Sequence, residues 1–430
     1  MDKKIKFYRK VLKNGMTVIF EKRNLPIISV AIAVRVGGMN EGEEEKGISH
    51  FIEHMIYKGT PTRDAKKIAD EIEKKGGDLN GFTSEAMTAY FCKMPSKHLK
   101  VALEVLSDMV KNPLFDRVEI EKERKVIFEE IKMNKDNPRM YVFDGLVRTL
   151  YEKPFGIPII GTCKSMSSID REKLKKRYEE TYQPNNFVLV VVGDANFEKI
   201  INFAEKNFGN KKNFQKYKNE NSLEFPTSQL NSVGNKKGKI PGFFITKKNQ
   251  TLIEKRKGID QANLIYSYHI PVSSDKKSYA AYVLSTLMAG GMSSRLFNEI
   301  REKRNLAYAV KGESSITKYF AHNFIYIGTT KENVEKVKKI IIKEFEKVSK
   351  SLIQKELEEV KEQIIGNYYI DMEESQAQMI NLISYEVDGD VKDFYKFEKN
   401  IRAVKLADVK EIADKAGKKF SFYALVPSEE

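Results

Sequence analysis

The order of predicted elements favours an α+β fold built from two halves. Short apolar runs typical of strands are mixed with amphipathic patterns typical of helices, which favours layers of sheet and helix. The strand and helix predicted at 28–36 and 47–58 are echoed by a strand at 263–271 and a helix at 276–289. Between the halves, residues 214–242 lose this periodicity and become rich in Asn, Lys, Ser and Gly, which predicts a linker.

The length and composition are consistent with this division. The chain has 430 residues, enough for two or three domains, and its 41% hydrophobic content supports packed cores. We expect an N-terminal domain over 1–220, a linker over 221–241 and a C-terminal domain over 242–430.

The net charge and the number of cysteines limit the partners and the compartment that can be expected. The net charge of +15 could indicate nucleic acid or an anionic membrane, but the lysines are scattered between glutamates, which favours a solvated surface. Only two cysteines occur, Cys92 and Cys163, far apart, which fits a reducing compartment. The first residues carry no apolar signal segment, and no apolar run reaches membrane-spanning length. We therefore expect a cytoplasmic protein that binds neither nucleic acid nor membrane.

Periodicity and turn residues predict the elements of the first half in order. They are a hairpin over Phe7–Arg23 turning at Asn14-Gly15, a strand over Ile28–Val36, a helix over Gly47–Lys58, a helix over Asp64–Lys75 with Asp64 as N-cap, one strand over Asp78–Met94, helices over Lys97–Lys111, Asp116–Asn137 and Met140–Tyr151, a loop over Gly156–Ser168, a helix over Asp170–Tyr182, a strand over Asn186–Gly193 and a helix over Asn196–Phe208.

The second half is predicted in the same way. Its elements are strands over Ala262–Pro271, Phe324–Thr329 and Phe420–Pro427, and helices over Lys276–Ala289, Val334–Val348 and Gln354–Gly366. The loop at Gly290-Gly291 precedes a helix and could cradle a phosphate. It lacks the G-x-x-x-x-G-K-[ST] pattern, so we reject a nucleotide site.

The helix over Gly47–Lys58 carries the most specific pattern. His50 and His54 are four residues apart, so both imidazoles leave one helix face, as in half of a zinc site. Glu53 lies beside them, where its carboxylate can hold a metal-bound water. The alternative is that they are ordinary core residues. This spacing is hard to explain that way because the chain contains only five His.

A third protein ligand is expected on another element. The charged helix over Asp116–Asn137 carries Glu123 and Glu130 seven residues apart, and so on one face, whereas Glu129 points about a quarter turn away. Any single Glu in such a helix is more often solvated than ligating. The apolar stripe predicted for this helix consists of Val118, Val126, Ile127 and Ile131.

Together, His50-x-x-Glu53-His54 and the run Glu123–Met133 resemble the inverzincin metallopeptidases, the family of pitrilysin, insulysin and mitochondrial processing peptidase. The length of the chain resembles the short, two-domain branch. The resemblance implies two similar domains related by internal duplication, each a mainly antiparallel sheet packed with helices. It also implies that Glu130, 76 residues after His54, is the third zinc ligand, and that Glu123 orients the ligands.

The resemblance further implies a substrate site. It implies that an extended peptide pairs with the strand containing Asn80, near the scissile bond, with Glu85, Ala86 and Met87 on the pairing segment. Where the family usually has Ala after this Asn, the present chain has Gly81. Arg301 and Tyr308 match residues that hold the substrate backbone and stabilise the oxyanion. The resemblance implies a homodimer in which these two residues reach the metal of the partner.

The sequence therefore predicts a zinc endopeptidase with one Zn²⁺ per chain, bound by the N-terminal domain over 1–220. The C-terminal domain over 242–430 is expected to lack a metal because its equivalent helix, 276–289, contains neither His nor Glu. Unfolded peptides would be hydrolysed in a clam-like chamber, with Glu53 as general base on a zinc-bound water. The main alternative is a non-catalytic structural or partner subunit of a heteromeric peptidase, against which the intact motif argues. A nucleic-acid-binding protein, suggested only by the net charge, is the second alternative.

Overall fold

The computed structural model describes residues 6–209, 247 and 249–428, so the linker predicted over 221–241 lies outside the described residues. The chain divides into two compact units, Met1–Arg124 with Lys164–Phe243 and Lys125–Cys163 with Phe244–Glu430. This division assigns residues 125–163 to the second unit, whereas the sequence prediction placed them in the first domain. The domain boundaries themselves stay a prediction.

The first unit is organised around a six-stranded sheet. Along the sheet, the order is β1-β2-β6-β3-β5-β4, and only the β2–β6 pair is parallel. The predicted hairpin, the strand near 28–36 and the apolar strand after Asn186 are all confirmed. The strands are β1 (Phe7–Val11), β2 (Thr17–Lys22), β3 (Ile27–Val34), β4 (Asp78–Thr83), β5 (Thr88–Pro95) and β6 (Phe187–Gly193).

Helices follow the strands along the chain as far as Phe208. They are α1 (Ile48–Ile56), α2 (Ala65–Glu73), α3 (Leu99–Lys111), α4 (Arg117–Asp136), α5 (Pro138–Leu150), α6 (Cys163–Ser168), α7 (Arg171–Thr181) and α8 (Phe197–Phe208). The predicted N-caps are confirmed, since Asp64 accepts from the Lys67 amide at 2.7 Å and Asp170 from the Lys173 amide at 2.8 Å. None of the described helices is both long and apolar enough to span a membrane.

The second unit has a five-stranded sheet in the order β7-β11-β8-β10-β9, in which only the β7–β11 pair is parallel. Its strands are β7 (Thr251–Arg256), β8 (Ala262–His269), β9 (Ala307–Ile316), β10 (Ala321–Thr329) and β11 (Ser421–Pro427). Its helices are α9 (Lys277–Ala289), α10 (Val334–Ser351), α11 (Gln354–Asp371), α12 (Ser375–Asp388), α13 (Phe397–Arg402) and α14 (Leu406–Lys418), and a π-helical segment covers Phe297–Glu302.

The two sheets share one topology, which confirms the predicted fold class. When β1 is set aside, each sheet places its strands in the chain order first, last, second, fourth, third. In both sheets the first and last strands are parallel and all other neighbours are antiparallel. An internal duplication produces such a shared order. The duplication also explains why α1 and α9 each follow the second of the five strands, β3 and β8.

Two predicted elements are wrong, and one of them is the loop over Gly156–Ser168, whose last residues form α6. The single strand predicted over Asp78–Met94 is a hairpin of β4 and β5, because the chain turns at residues 84–87. The Ser84 amide donates to the Met87 carbonyl at 2.8 Å, and the Ser84 hydroxyl donates to the same oxygen at 3.1 Å. No glycine or proline marks this turn, so the alternating pattern continues through it and conceals it.

Candidate metal centre

Helix α1 begins at a fixed point. Gly47 has φ of +97°, in the left-handed region that a residue without Cβ adopts readily. The Glu41 carboxylate accepts hydrogen bonds from the amides of Gly47 and Ser49, both at 2.8 Å. A buried negative charge at a helix N-terminus satisfies two otherwise unpaired donors and interacts favourably with the helix dipole. Glu41 therefore fixes the start of the helix one turn before its histidines.

The sequence of α1 orients its two faces. The buried side is apolar, so packing anchors the helix along one stripe. It consists of Ile48, Phe51, Ile52, Met55 and Ile56. The opposite side is partly exposed and carries His50, Glu53, His54 and Tyr57. Because these four residues follow helical spacing, anchoring the apolar stripe places all of them on one surface.

The three predicted ligands come together. One ligand atom from each of His50, His54 and Glu130 lies within 4.8 Å of the others. The two imidazole rings have centroids 4.7 Å apart and meet nearly edge to face. Two imidazoles and one carboxylate form the donor set of a catalytic zinc site, which keeps a further position open. On geometry and chemistry the cluster fits zinc.

Helix α4 presents both of its relevant glutamates on its buried side. Ile120 and Ile127 are buried on either side of Glu123, and Glu130 continues the same face one turn later. The predicted apolar stripe is wrong for Val118 and Val126, whose exposed fractions are 62% and 48%. The buried face of this helix is therefore formed by Ile120, Glu123 and Ile127 rather than by the valines.

Glu123 joins α4 to α1 through both carboxylate oxygens. Its Oε2 lies 3.0 Å from His54 Nδ1 and its Oε1 lies 2.5 Å from Lys58 Nζ. Because a carboxylate only accepts, His54 donates from Nδ1, which directs its Nε2 to the metal position. The guanidinium of Arg124 also lies over the ring of Phe51, 5.3 Å from its centroid.

Glu53 is held by a residue that the sequence analysis missed. The Thr83 hydroxyl, on β4, donates to Glu53 Oε2 at 2.6 Å, and His50 Nδ1 lies 3.5 Å from the same oxygen. The sequence offered no signal for Thr83, because 30 residues separate it from Glu53. Lys58 was also missed, although the sequence analysis placed it four residues after His54 in the same predicted helix; in the structure it lies just beyond the end of α1.

Strand β4 is the edge of its sheet, since it pairs only with β5. Asn80 lies on this strand and is exposed. Glu85, Ala86 and Met87 lie instead in the β4–β5 turn. The turn is already engaged, because the amides of Gly38 and Met39 donate to the carbonyls of Ser84 and Glu85 at 3.0 and 2.9 Å.

The Glu85 side chain points into a buried charge cluster. Its Oε2 lies 3.7 Å from Nζ of Lys46, which is fully buried and donates to the Gly38 carbonyl at 2.7 Å. Burial raises the pKa of Glu85 to about 7, although the Lys46 charge opposes this rise. The cluster thus connects the β4–β5 turn to the loop that precedes α1.

Arg301 and Tyr308 are neighbours in the second unit. Arg301 lies on the π-helical segment and Tyr308 near the start of β9. The Arg301 guanidinium is 5.0 Å from the centroid of the Tyr308 ring and 4.7 Å from that of Phe297, within cation–π distance. Tyr308 is 80% exposed. A surface Arg stacked on an exposed Tyr presents two donors to solvent together.

The fold and the His-His-Glu cluster define a class of metallopeptidase, and comparison with known proteins identifies the family. Residues 17–163 match the profile of the insulinase family, peptidase family M16, and residues 168–364 match that of the M16 inactive domain. An uncharacterised zinc protease of Rickettsia felis is 31% identical over 403 residues, which cover 93% of this chain and 90% of that protein. The uncharacterised zinc protease YmxG of Bacillus subtilis is 32% identical, with 86% of each chain covered.

The chain therefore belongs to the insulinase family, peptidase family M16, and to its short, two-domain branch. Solved structures show the same fold. A protease from Helicobacter pylori superposes with a TM-score of 0.85 over 98% of this chain and all of that one, at 23% identity. A protein from Pseudomonas fluorescens, described as a peptidase M16 inactive domain, gives a TM-score of 0.83 at 20% identity over 99% and 98% of the two chains.

Proposed function

We propose that this protein is a zinc-dependent endopeptidase that hydrolyses unfolded peptides. The observation that carries the proposal is the convergence of His50, His54 and Glu130 ligand atoms within 4.8 Å, with Glu53 on the same helix face. Membership of a family whose relatives are named zinc proteases supports the metal. One Zn²⁺ is expected per chain, held by these three residues.

Each residue of the site has a role in the proposed reaction. Bound zinc supplies a Lewis acid that polarises the scissile carbonyl and makes water more acidic. Glu53, oriented by Thr83, takes a proton from the attacking water and delivers it to the leaving amine. Glu123 holds His54 in the tautomer that ligates through Nε2.

Substrate would bind by strand addition to β4. Main-chain pairing holds an extended peptide with little dependence on its sequence and cannot capture a folded chain. The edge position of β4 supports this role, as does its Thr83–Glu53 bond, which brings the edge beside the base. Asn80 would lie near the scissile bond. The predicted contacts of Glu85, Ala86 and Met87 with substrate stay a prediction, to be made from the turn rather than from the strand.

The proposal also includes assembly. Two copies would form a homodimer that encloses the peptide in a chamber, with Arg301 and Tyr308 of each copy stabilising the oxyanion at the metal of the other. The exposure of Tyr308 and its contact with Arg301 support a shared role. Mixing Arg301→Ala with Glu53→Gln should restore part of the activity that each lacks. Verified subunit exchange without recovery would contradict the shared site.

The function is tested by hydrolysis of quenched, unstructured peptides. We expect cleavage that stops when a chelator removes the metal and returns when stoichiometric zinc is added, with no cleavage of a folded protein of similar charge. The match of the C-terminal half to an inactive domain favours one alternative, a non-catalytic subunit. Stoichiometric zinc binding without cleavage of any of a broad peptide set would support that alternative and contradict the proposal.

A further inference from the structure

Tyr57 follows the last turn of α1 on the side that carries His50, Glu53 and His54, and the proposed reaction gives it no role. It lies four residues after Glu53 and three after His54, so its ring leaves the helix beside theirs. The ring extends inward, with its centroid 6.0 Å from that of the buried Tyr90. Its position is thus fixed by packing, and its hydroxyl is held at a defined point next to the site.

The Tyr57 hydroxyl is buried and has no hydrogen-bond partner among the described residues. Leaving a buried donor unsatisfied is costly, and native structures rarely do so without a reason. Burial raises the pKa of Tyr57, and the nearby charge of Glu53 raises it further. The phenol therefore stays protonated and remains a donor at every pH at which the enzyme would work.

Gly81 on β4 makes room for this hydroxyl. A methyl group placed on Gly81 would lie 2.4 Å from Tyr57 Oη, closer than the two can approach. The same point lies 3.4 Å from Glu53 Oε1. The absence of a side chain at Gly81 thus lets the Tyr57 hydroxyl lie against β4 on the side of Glu53 Oε1, the oxygen to which Thr83 does not donate.

We propose that Tyr57 is a positioning residue for the general base, and that its hydroxyl donates a hydrogen bond to Glu53 Oε1 directly or through one water molecule. Because one point lies 2.4 Å from Tyr57 Oη and 3.4 Å from Glu53 Oε1, the two oxygens are at most the sum of these distances, 5.8 Å, apart. One water molecule can bridge two oxygens at such a separation. Thr83 and Tyr57 then each hold one oxygen of the carboxylate, which fixes its plane. This inference rests on the proposed function, since it assigns a partner to the base of that reaction.

Tyr57→Phe removes only the hydroxyl. We expect kcat to fall about three- to tenfold, the loss of one hydrogen bond, with KM and bound zinc unchanged. Tyr178→Phe is the matched control, because it removes another buried hydroxyl, which donates to the Val110 carbonyl at 2.8 Å. It should lower the melting temperature and leave kcat unchanged. A wild-type kcat in Tyr57→Phe would overturn the proposal.

The double variant Tyr57→Phe/Gly81→Ala distinguishes two roles of the Tyr57 hydroxyl, positioning Glu53 and filling the volume beside Gly81. The added methyl occupies the volume that the hydroxyl leaves, and the edge strand β4 can shift slightly to relieve its 2.9 Å approach to the Ala89 carbonyl. If the hydroxyl acts on Glu53, the double variant keeps the low kcat of Tyr57→Phe. If the hydroxyl only fills space, the double variant regains the wild-type kcat, which overturns the proposal.

A crystal structure of the zinc-loaded wild type provides a readout that does not depend on activity. A hydrogen bond between Tyr57 Oη and Glu53 Oε1, or one water bonded to both, supports the inference even in a protein that cleaves nothing. A Tyr57 hydroxyl bonded elsewhere, or no link between the two, overturns it. Failure of the proposed function would appear instead as zinc binding without hydrolysis in the wild type.

Discussion

His54 Nδ1 lies 3.0 Å from Oε2 of Glu123, and the other oxygen of that carboxylate lies 2.5 Å from Lys58 Nζ. One buried glutamate of α4 therefore contacts two side chains of the segment that carries the metal motif. The contact orients one imidazole, and Glu130 of the same helix reaches the same cluster. The tautomer of one predicted ligand thus depends on a carboxylate that is not itself a ligand.

Glu123→Gln should weaken zinc binding by about ten- to a hundredfold, because an amide accepts less strongly from His54 and cannot pair with Lys58 as a charge. Competition with a chromophoric chelator measures the affinity. Glu121→Gln, two residues earlier on the same helix and paired with Arg124, is the control and should bind zinc as the wild type does. Equal zinc affinity in Glu123→Gln and wild type would refute this role.

Glu130→Gln should abolish stoichiometric zinc binding, because it removes the only charged ligand of the cluster. The adjacent Glu129→Gln is a matched control with the same chemistry, since the Glu129 side chain is 77% exposed. Metal content after dialysis against a weak chelator distinguishes the two variants. Loss of zinc from Glu129→Gln and retention by Glu130→Gln would reverse the ligand assignment.

Lys46→Met should lower the free energy of unfolding by about 3–5 kcal/mol, because it leaves the buried Glu85 carboxyl without its cation. Adding Glu85→Gln should recover part of the loss, since both members of the pair are then neutral. The exposed Lys100→Met, from a surface pair with Glu104, should change stability by less than about 1 kcal/mol. Denaturant titration at pH 8 measures all three. A loss below about 1 kcal/mol in Lys46→Met would contradict the account.

Much of the site followed from the sequence, because its spacing is local. The histidines and Glu53 share one helix, and Glu123 and Glu130 share another, so helical periodicity alone placed them on common faces. The Thr83–Glu53 bond and the Gly81 space could not be predicted, because they depend on how β4 folds back on α1.

The sequence also predicted some elements of the fold and missed others. Elements with strong apolar periodicity and clear caps were found, whereas β7, β9 and the helices from α12 to α14 were missed. Strand β7 is mostly exposed and α13 is short, so neither has an apolar pattern that stands out. The strand order shared by the two sheets depends on pairing between strands that are distant in the sequence, which local sequence patterns cannot predict.

The buried His322 should make the second unit acid-sensitive. Burial, with a smaller contribution from the charge of His269 opposite it in the sheet, lowers the pKa of His322 to about 3. In the unfolded chain this imidazole is protonated as the pH falls through about 6.5, whereas in the folded chain it stays neutral. The free energy of unfolding therefore decreases as the pH falls below about 6.5. The loss amounts to about 2 kcal/mol between pH 7 and pH 5.

His322→Gln should remove this part of the pH dependence. Its amide oxygen can still accept from the Tyr151 hydroxyl, which lies 2.9 Å from His322 Nδ1. Denaturant unfolding at pH 7 and pH 5 measures the difference in each protein. His98→Gln, in the other unit, is the control and should leave the pH dependence of the wild type intact. An unchanged acid loss in His322→Gln would show that another group causes it.

In the proposed reaction, Glu53 acts as a base beside a metal that it does not hold. Bound zinc and peptide hydrolysis, measured together in wild type and Glu53→Gln, test this role. We predict equal zinc, one per chain, and a loss of kcat of at least about a hundredfold in the variant. Hydrolysis at the wild-type rate by Glu53→Gln, or loss of its zinc, would contradict the assignment of Glu53 as the base.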